Sequence, residues 1–202
     1  LVAAKTDNLK TFDVVVCVHN AKEDVQACLQ AHDQTTTLET DIICVDDGRQ
    51  DANAEYLSRF TKIHQMTYLR NEQAKGYTAA ANQGLQASAS DFVILLNSDT
   101  IPTEGWADKM LSCAISDRDI GIVGTLSNTA SWQSVPEIFD ENGEWAQNPR
   151  PPDMTLAQFA GLLESASARV YPKLPFINGF CFGIKRRLME DIGLFDADVF
   201  DH

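Results

Sequence analysis

Three short polar clusters carry the residue types that could do chemistry, and each of them follows an apolar run of the sequence. They are His19-Asn20, Asp46-Asp47-Gly48 and Asn97-Ser98-Asp99. Asp99 could be an oxygen ligand for Mg²⁺ or Mn²⁺ that holds a diphosphate, or it could simply cap a turn or a helix. Asp46 and Asp47 could accept hydrogen bonds from a base or a ribose hydroxyl, or they could form an ordinary Asp-Gly turn. Two adjacent carboxylates at a buried strand end repel each other unless other groups satisfy them.

The strands and helices that must position these clusters alternate along the first 125 residues. The predicted strands are 13–18, 42–45, 66–69, 92–96 and 120–124, and the predicted helices are 23–32, 53–60, 77–88 and 105–116. Alternation with short links predicts βαβ units, and therefore an α/β fold on a mostly parallel sheet. Ligands of such sheets bind at the carboxyl ends of the strands. We therefore expect the three polar clusters to form one site.

The second part of the chain has a different character, because six of the seven prolines lie between residues 136 and 175. This composition predicts a long ordered loop, and such loops are usually lids or binding loops. Thr155 and Gln158 form a possible capping box for one helix inside the loop, with an apolar face of Leu156, Phe159, Ala160 and Leu163. A strand is expected at 177–184, followed by a helix at 185–192.

Several side chains in this part have two plausible roles. Trp132 and Trp145 could stack on a sugar ring or be buried in the loop. The basic triplet Lys185-Arg186-Arg187 could be a solvated helix face, or it could contact a diphosphate or a lipid-linked phosphate.

Charge and composition exclude some classes of protein. The 16 basic and 29 acidic residues give a net charge of −13. This charge argues against sequence-independent binding of nucleic acid and against electrostatic adhesion to an anionic membrane. It also means that a phosphate ligand would need a bridging cation.

The apolar runs are too short for a transmembrane helix, and residues 1–12 contain no signal-peptide core. The five cysteines form no CxxC pair and lie in apolar surroundings, which predicts buried free thiols in a reducing compartment. Because residue 1 is Leu, we expect the sequence to be an excerpt of a longer chain.

Several segments, taken in order, resemble family 2 glycosyltransferases, which have the GT-A fold. They are VVVCVHN (14–20), VDDGRQD (45–51), RNEQAKGYTAAANQG (70–84), LLNSDT (95–100), GIVGTLSN (121–128), INGFCFGIKRR (177–187) and IGLFDADVF (192–200). The departures from the family pattern are Arg49 in place of Ser, Lys75 in place of Asn, and Asn97 in place of the first Asp of the DXD motif. The Asn-Ser-Asp form and the long insert resemble bacterial surface-polysaccharide members, such as those that build O-antigens and capsules.

The resemblance implies a single GT-A domain over 1–202, with a Rossmann-like nucleotide-sugar half at 1–125 and a C-terminally incomplete acceptor half at 126–202. It implies inverting transfer from a UDP- or dTDP-linked sugar to a hydroxyl of a glycan or lipid-linked glycan, assisted by Mn²⁺ or Mg²⁺. A cytoplasmic location is implied, at the inner face of the cell membrane if the domain associates with it peripherally. Further domains of the same chain are expected, and nucleic acid is not expected as a partner.

Position by position, the resemblance also implies roles for individual residues. Nucleotide contacts would come from His19, Asn20, Asp46, Asp47, Gly76, Tyr77, Asn82, Asn97 and Ser98. Asp99 would be the metal ligand. The acceptor side would be formed by Asn178, Gly179 and Phe180. The family's catalytic base follows the GLFD signature and is expected just beyond His202, and the nearest acids, Asp196, Asp198 and Asp201, could instead be solvated turn residues.

Three alternatives to an active transferase remain open at this point. A catalytically silent sugar-nucleotide-binding module is favoured by Asn97 and by the missing base. A dinucleotide-binding oxidoreductase would need GxGxxG after the first strand, where VHNAKED has no glycine. A phospho-accepting receiver domain would place its acidic pair after the first strand, whereas here the pair follows the second.

Overall fold

The computed structural model describes residues 6–19, 22–36, 40–48 and 51–200, with only the backbone described for 51–53. Six strands lie within these residues: β1 (Phe12–Val18), β2 (Asp41–Asp46), β3 (Thr67–Arg70), β4 (Phe92–Asn97), β5 (Ile122–Gly124) and β6 (Cys181–Lys185). The same residues contain six α-helices: α1 (Lys22–Thr35), α2 (Asp51–Ile63), α3 (Tyr77–Ala87), α4 (Trp106–Ser116), α5 (Leu156–Ala166) and α6 (Arg186–Ile192). A short 3₁₀-helix spans Ser131–Gln133.

The strands form one sheet in the order β3-β2-β1-β4-β6-β5. The pairs β1–β2, β1–β4 and β2–β3 are parallel, whereas β6 runs antiparallel to both β4 and β5. The predicted α/β fold with a mostly parallel sheet is confirmed. Because β6 lies between β4 and β5, a strand from the second part of the chain completes the sheet built by the first.

Two predicted strands are shorter in the structure. The strand predicted at 177–184 begins only at Cys181, because Asn178 Oδ1 accepts the N–H of Phe180 at 3.3 Å and bends the chain into a turn. The strand predicted at 120–124 begins only at Ile122, because the N–H of Ile120 is donated to the carbonyl of Asp117 in a preceding turn.

The central strands are buried on both faces, as is usual for parallel sheets covered by helices. All seven residues of β1 are buried, as are the five apolar residues that begin β4. One apolar layer packs Val14 and Val16 against α1 and α4, and the other packs Val15 against α3. This two-sided burial accounts for the unbroken apolar runs in the sequence.

The five cysteines are all free thiols, as predicted. Cys17, Cys28, Cys44 and Cys181 are buried, and Cys113 is half-buried. Burial raises the pKa of the Cys17, Cys28 and Cys181 thiols to about 12. These groups are therefore protonated packing residues at neutral pH rather than nucleophiles.

The basic triplet lies at the amino-terminal end of the parallel strands. Lys185 pairs with Phe92, the first residue of β4, and is 0% exposed, donating to Asp7 Oδ2 at 2.8 Å and to the carbonyl of Asp117 at 3.0 Å. Arg186 donates to the carbonyls of Ser88 and Ser90. The expectation of a solvated helix face is wrong for these two residues, because they cross-link the loops at this end of the sheet. The opposite end of the sheet carries the polar clusters, so the triplet does not contact a diphosphate bound there.

Helix α5 has the predicted capping box, with both reciprocal hydrogen bonds between Thr155 and Gln158. Its apolar face is less buried than predicted, because none of the α5 residues, all of which the structure describes, is fully buried. Glu164 joins α5 to α4 through an ion pair with Lys109 at 2.9 Å. In the described part of the chain, no helix is long and apolar enough to cross a bilayer.

His32 on α1 is a buried neutral base that should make the fold sensitive to mild acid. Its ring meets Trp106 edge-on, and its Nδ1 has no hydrogen-bond partner among the described residues. Burial lowers the pKa of His32 to about 4, although the charge of Asp33 opposes this shift. In the unfolded chain the histidine pKa is about 6.5. Between about pH 6.5 and pH 4 the unfolded chain therefore binds a proton at His32 that the folded state does not bind.

We therefore expect folding stability to fall by about 3 kcal/mol between pH 6.5 and pH 4 through His32 alone. Urea unfolding of the wild type and His32→Leu at several pH values measures this contribution. It is the difference between the two proteins in how steeply the free energy of unfolding changes with pH. The variant should have the flatter profile in this window. Parallel profiles would show that His32 does not carry the acid sensitivity.

Candidate functional site

The strand register brings the three polar clusters to one edge of the sheet. Val18 lies opposite Asp46, and Cys17 lies opposite Asn97. His19 follows directly, with its Nδ1 at 2.9 Å from the carbonyl oxygen of Asp47. The predicted meeting of the clusters is confirmed for these residues, whereas Asn20 lies outside the described residues.

Asp46 is buried, and both of its carboxylate oxygens have partners within the protein. Oδ1 accepts the N–H of Gly48 at 3.0 Å, and Oδ2 accepts the hydroxyl of Tyr68 at 2.6 Å. Arg70 Nε lies 3.9 Å from Oδ2. Burial and the bond to Asp46 raise the pKa of Tyr68, so the phenol stays a donor. A Cβ at Gly48 would lie 2.7 Å from Oδ1, so a larger residue here would displace the Asp46 carboxylate.

Asp47 is also buried, and it organises the loop that leads into α3. Its carboxylate accepts the side-chain amide of Asn71 at 2.9 Å and the backbone N–H groups of Lys75 and Gly76 at 2.9 to 3.0 Å. Gly76, with φ of 89°, precedes the first residue of α3, Tyr77, which is partly exposed. Two adjacent buried carboxylates need partners, and the protein itself supplies them for this acidic pair.

Asn71 was missed in the sequence analysis, although a signal for it existed. It follows β3 directly, and its N–H is donated to the carbonyl of Asp46. Polar residues directly after β1, β2 and β4 were singled out because ligands bind at that edge, and the same rule applied to β3 would have selected Asn71.

The side-chain amide of Asn82 on α3 is hydrogen-bonded to a distant part of the chain. Its Nδ2 donates to the carbonyl of Phe195 at 2.7 Å, and its Oδ1 accepts the N–H of Phe195 at 3.0 Å. The amide is therefore engaged with the backbone of the segment that follows α6. In the structure Asn82 holds this segment in place, which the sequence analysis did not predict.

The turn after β4 carries the predicted metal ligand. Asn97 and Ser98 are half-buried, and Asp99 is exposed in a turn that Thr100 closes by donating its N–H to the carbonyl of Asn97 at 3.1 Å. No group of three or more His, Cys, Asp or Glu side chains that could hold a metal occurs among the described residues. A cation here would therefore have Asp99 as its carboxylate, with the remaining positions filled by ligand oxygens and water. This donor set suits Mg²⁺ or Mn²⁺ bound together with a substrate diphosphate.

The predicted acceptor-side residues lie beside this turn. The carbonyl of Phe180 accepts the N–H of Asn97 at 2.9 Å, which places the 178–180 turn against the end of β4. The N–H of Asn178 is donated to Oε1 of the buried Gln133 at 2.6 Å, and Gln133 Nε2 donates to the carbonyl of Thr125. Gly179 lies exposed at the tip of the turn. Gln133 was not singled out from the sequence, because it is 45 residues from its partner Asn178.

The acids near the end of the chain form a local turn. Asp196 Oδ1 accepts the N–H groups of Asp198 and Val199, both at 3.2 Å, and both aspartates are exposed. This geometry is that of a turn residue. Asp201 lies outside the described residues, so the identity of the catalytic base stays a prediction.

The sequence of the chain matches one family model, Glycosyl transferase family 2, over residues 13–193. The chain belongs to glycosyl transferase family 2. This membership confirms the glycosyltransferase prediction and sets aside the oxidoreductase and the receiver domain.

Curated relatives of this family 2 glycosyltransferase come from archaea and bacteria. Glycosyltransferase AglE of Haloferax volcanii is 29% identical over 122 residues, 59% of this chain and 40% of AglE. The putative glycosyltransferase EpsH of Bacillus subtilis is 25% identical over 109 residues, 54% of this chain and 32% of EpsH. A poly-beta-1,6-N-acetyl-D-glucosamine synthase of Staphylococcus epidermidis is 27% identical over 101 residues, 50% of this chain and 24% of the synthase. The matched regions thus span less than half the length of these relatives.

Solved structures show the same fold. One is the mannosyltransferase PcManGT of Pyrobaculum calidifontis in complex with GDP-Man and Mn²⁺, with a TM-score of 0.65 at 18% identity. The match covers 98% of this chain and 50% of the mannosyltransferase chain. GalNAc-T7 with UDP, GalNAc and Mn²⁺ has a TM-score of 0.66 at 18% identity, covering 93% of this chain and 37% of its own. The predicted GT-A fold is confirmed.

Proposed function

We propose that this family 2 glycosyltransferase domain is an inverting, metal-assisted transferase. It moves a sugar from a UDP- or dTDP-linked donor to a hydroxyl of a glycan or lipid-linked glycan of a bacterial surface polysaccharide. The observation that supports this most directly is the meeting of three groups at one edge of the sheet. They are the acidic pair Asp46-Asp47, the Asn97–Asp99 turn and the 178–180 turn.

Asp99 would hold Mn²⁺ or Mg²⁺ together with the donor diphosphate. Its exposure at the end of β4 supports this role, as do two similar solved structures that are complexes with Mn²⁺. When bound, such a cation would neutralise the negative charge that develops on the leaving diphosphate. The net charge of −13 supports the need for a cation, because the protein itself repels an anionic donor.

The residues of the chain would bind and orient the two substrates. Asp46 and Asp47 would fix the edge on which the nucleotide lies, alongside His19, Tyr77 and Ser98. Asn20 stays a nucleotide contact that is expected from the sequence alone. Asn97 offers a neutral amide to the ribose. The 178–180 turn lies where the acceptor would approach the reacting carbon.

Inversion needs a carboxylate within hydrogen-bond reach of the acceptor hydroxyl, on the side opposite the nucleotide. We propose that this base comes from the part of the chain after Phe195, the residue whose backbone Asn82 holds. The carboxylate would take the proton of the acceptor hydroxyl as its oxygen attacks the anomeric carbon and the bond to the diphosphate breaks.

We further propose that 1–202 is one domain of a longer chain that works on the cytoplasmic side of the membrane, with peripheral association there. The position of β6, between β4 and β5, supports a single domain. The greater length of the curated relatives supports additional domains.

A panel of thermal-shift measurements tests the donor site. The ligands are UDP, dTDP, GDP and NAD, each with and without Mn²⁺, since a ligand at 100 times its dissociation constant stabilises the folded state by about 2.7 kcal/mol. We expect Mn²⁺-dependent shifts with UDP or dTDP. The absence of any nucleotide shift, or a shift with NAD alone, would contradict the proposal.

The second candidate is a catalytically silent module that binds a sugar nucleotide. It is favoured by Asn97 and by the use of Asp196 in a local turn. Release of nucleoside diphosphate from a UDP- or dTDP-sugar, measured on the full-length chain, separates the two candidates. Nucleotide binding without release would favour the silent module.

A further inference from the structure

Three aromatic side chains form an exposed cluster on the loop that follows β5. Trp132 meets Phe139 and Trp145 edge-on, with ring centroids 5.6 and 5.5 Å apart, and Phe139 stacks on Trp145 at 4.9 Å. The three side chains are 39%, 43% and 45% exposed, respectively. Aromatic rings contribute most when they are buried, so three neighbouring exposed rings mark a surface for a ligand. We call Trp132, Phe139 and Trp145 the aromatic cluster.

The loop that carries the aromatic cluster is held by its own hydrogen bonds. Asp140 Oδ1 accepts the N–H groups of Asn142 and Glu144, both at 2.9 Å, and these bonds hold the pKa of Asp140 below its usual value. Asn148 Nδ2 donates to the carbonyls of Asn128 and Glu137 at 2.8 and 2.9 Å, closing the base of the loop. The rings are therefore positioned before any ligand binds, which lowers the entropic cost of binding.

Hydrogen bonds also link the aromatic cluster to the proposed acceptor side. Gln133, the residue after Trp132, is buried and accepts the N–H of Asn178. Two residues further on, the carbonyl of Phe180 accepts the N–H of Asn97. The cluster therefore adjoins the acceptor-side turn, and through that turn it is connected to the end of β4.

The charge around the aromatic cluster restricts the ligand. The sequence contains no Lys or Arg between Arg118 and Arg150. The same stretch contains the acids Asp119, Glu137, Asp140, Glu141 and Glu144. An anionic ligand would be repelled here, whereas the C–H face of a neutral pyranose, or a protonated amino sugar, is attracted to the electron-rich ring faces.

We propose that the aromatic cluster is an acceptor subsite that binds a neutral or amino-substituted pyranose ring of the growing glycan. The inference rests on the proposed function, because it assigns the acceptor side of the same site. It adds the class of acceptor, an uncharged or cationic glycan, and the residues that select it.

Binding of oligosaccharides without nucleotide tests the subsite separately from the donor site. The probes are tetramers of N-acetylglucosamine and of glucosamine, with oligogalacturonate as the anionic probe, and binding is followed by tryptophan fluorescence. We expect saturable binding of either or both of the first two and none of the third. Phe139→Ala, which keeps every tryptophan, should weaken binding about tenfold, or about 1.4 kcal/mol.

The kinetic test on the full-length enzyme uses Trp132→Ala, with Trp132→Phe as the conservative variant. With the tetramer that binds the wild type as acceptor, Trp132→Ala should raise the acceptor KM about tenfold with little change in kcat. Trp132→Phe should bring the KM most of the way back to the wild-type value. Tyr171→Ala removes a half-exposed ring outside the cluster and should change neither value.

Distinct results would overturn the subsite and the proposed function. If UDP or dTDP shifts the melting temperature but no oligosaccharide binds the wild type, the subsite fails and the transferase stands. If no nucleotide binds either, the proposed function fails as well. If Trp132→Ala changes the oligomeric state but leaves the acceptor KM unchanged, the cluster is a protein contact and the subsite is wrong.

Discussion

Replacing Asp99 with Asn is expected to abolish metal-dependent nucleotide binding while leaving the fold intact. Asp99 is exposed in the turn after β4, so the substitution removes a charge without opening a cavity. In the described part of the chain, no group of three or more His, Cys, Asp or Glu side chains is arranged to hold a metal without Asp99 and the donor diphosphate. We expect at least a hundredfold loss of nucleotide affinity in the presence of Mn²⁺, which is about 2.8 kcal/mol.

The measurement compares melting temperatures with UDP or dTDP, with and without Mn²⁺. Asp99→Asn should melt like the wild type without ligand and should lose the Mn²⁺-dependent shift. Asp119→Asn is the matched control, because Asp119 is also exposed but lies before β5, at the opposite end of the sheet. An unchanged Mn²⁺-dependent shift in Asp99→Asn would remove Asp99 from the metal site.

Replacing Asp47 with Asn is expected to destabilise the fold by about 2 to 4 kcal/mol, because buried donors that lose a charged acceptor cost about 1 to 3 kcal/mol each. The carboxylate accepts hydrogen bonds from Asn71, Lys75 and Gly76. An amide can keep one oxygen, but it places an NH₂ group against an N–H that needs an acceptor. The substitution is therefore isosteric without being conservative.

Urea unfolding at pH 7 measures this destabilisation. Asp41→Asn is the matched control, since Asp41 is the exposed first residue of β2, the strand that Asp47 follows. The Asp47 variant should also bind nucleotide more weakly at temperatures where it is folded, because the loop over 71–76 loses its anchor. Wild-type stability in Asp47→Asn would show that these hydrogen bonds contribute little to the fold.

The elements that were predicted well are those whose signal is local. The runs DVVVCV and FVILL predicted β1 and β4 because strands buried on both faces have no polar positions. Thr155 and Gln158 predicted the start of α5 because a capping box involves only one turn of chain. The three polar clusters were placed together because parallel strands bring their carboxyl ends to the same edge.

The elements that were predicted poorly depend on distant partners. The sequence pattern predicts that Lys185 is a solvated helix residue. Its ammonium group is instead buried against Asp7, 178 residues away. The five residues of β6 also contain no pattern that predicts its antiparallel direction or its position between β4 and β5.

For the site itself, the amino-acid sequence was enough to predict the family, the α/β fold and the edge at which chemistry is expected. The ordered motifs indicate the family, the alternation of strands and helices indicates the fold, and the polar residues at strand ends indicate the edge. Tertiary structure alone decided that Asp47 anchors the loop before α3, that Asn82 holds Phe195, and that Gln133 joins the aromatic cluster to the acceptor-side turn. Each of these contacts joins residues at least 24 positions apart. No local pattern encodes such a partner, because it is the packing of helices and loops on the finished sheet that selects it.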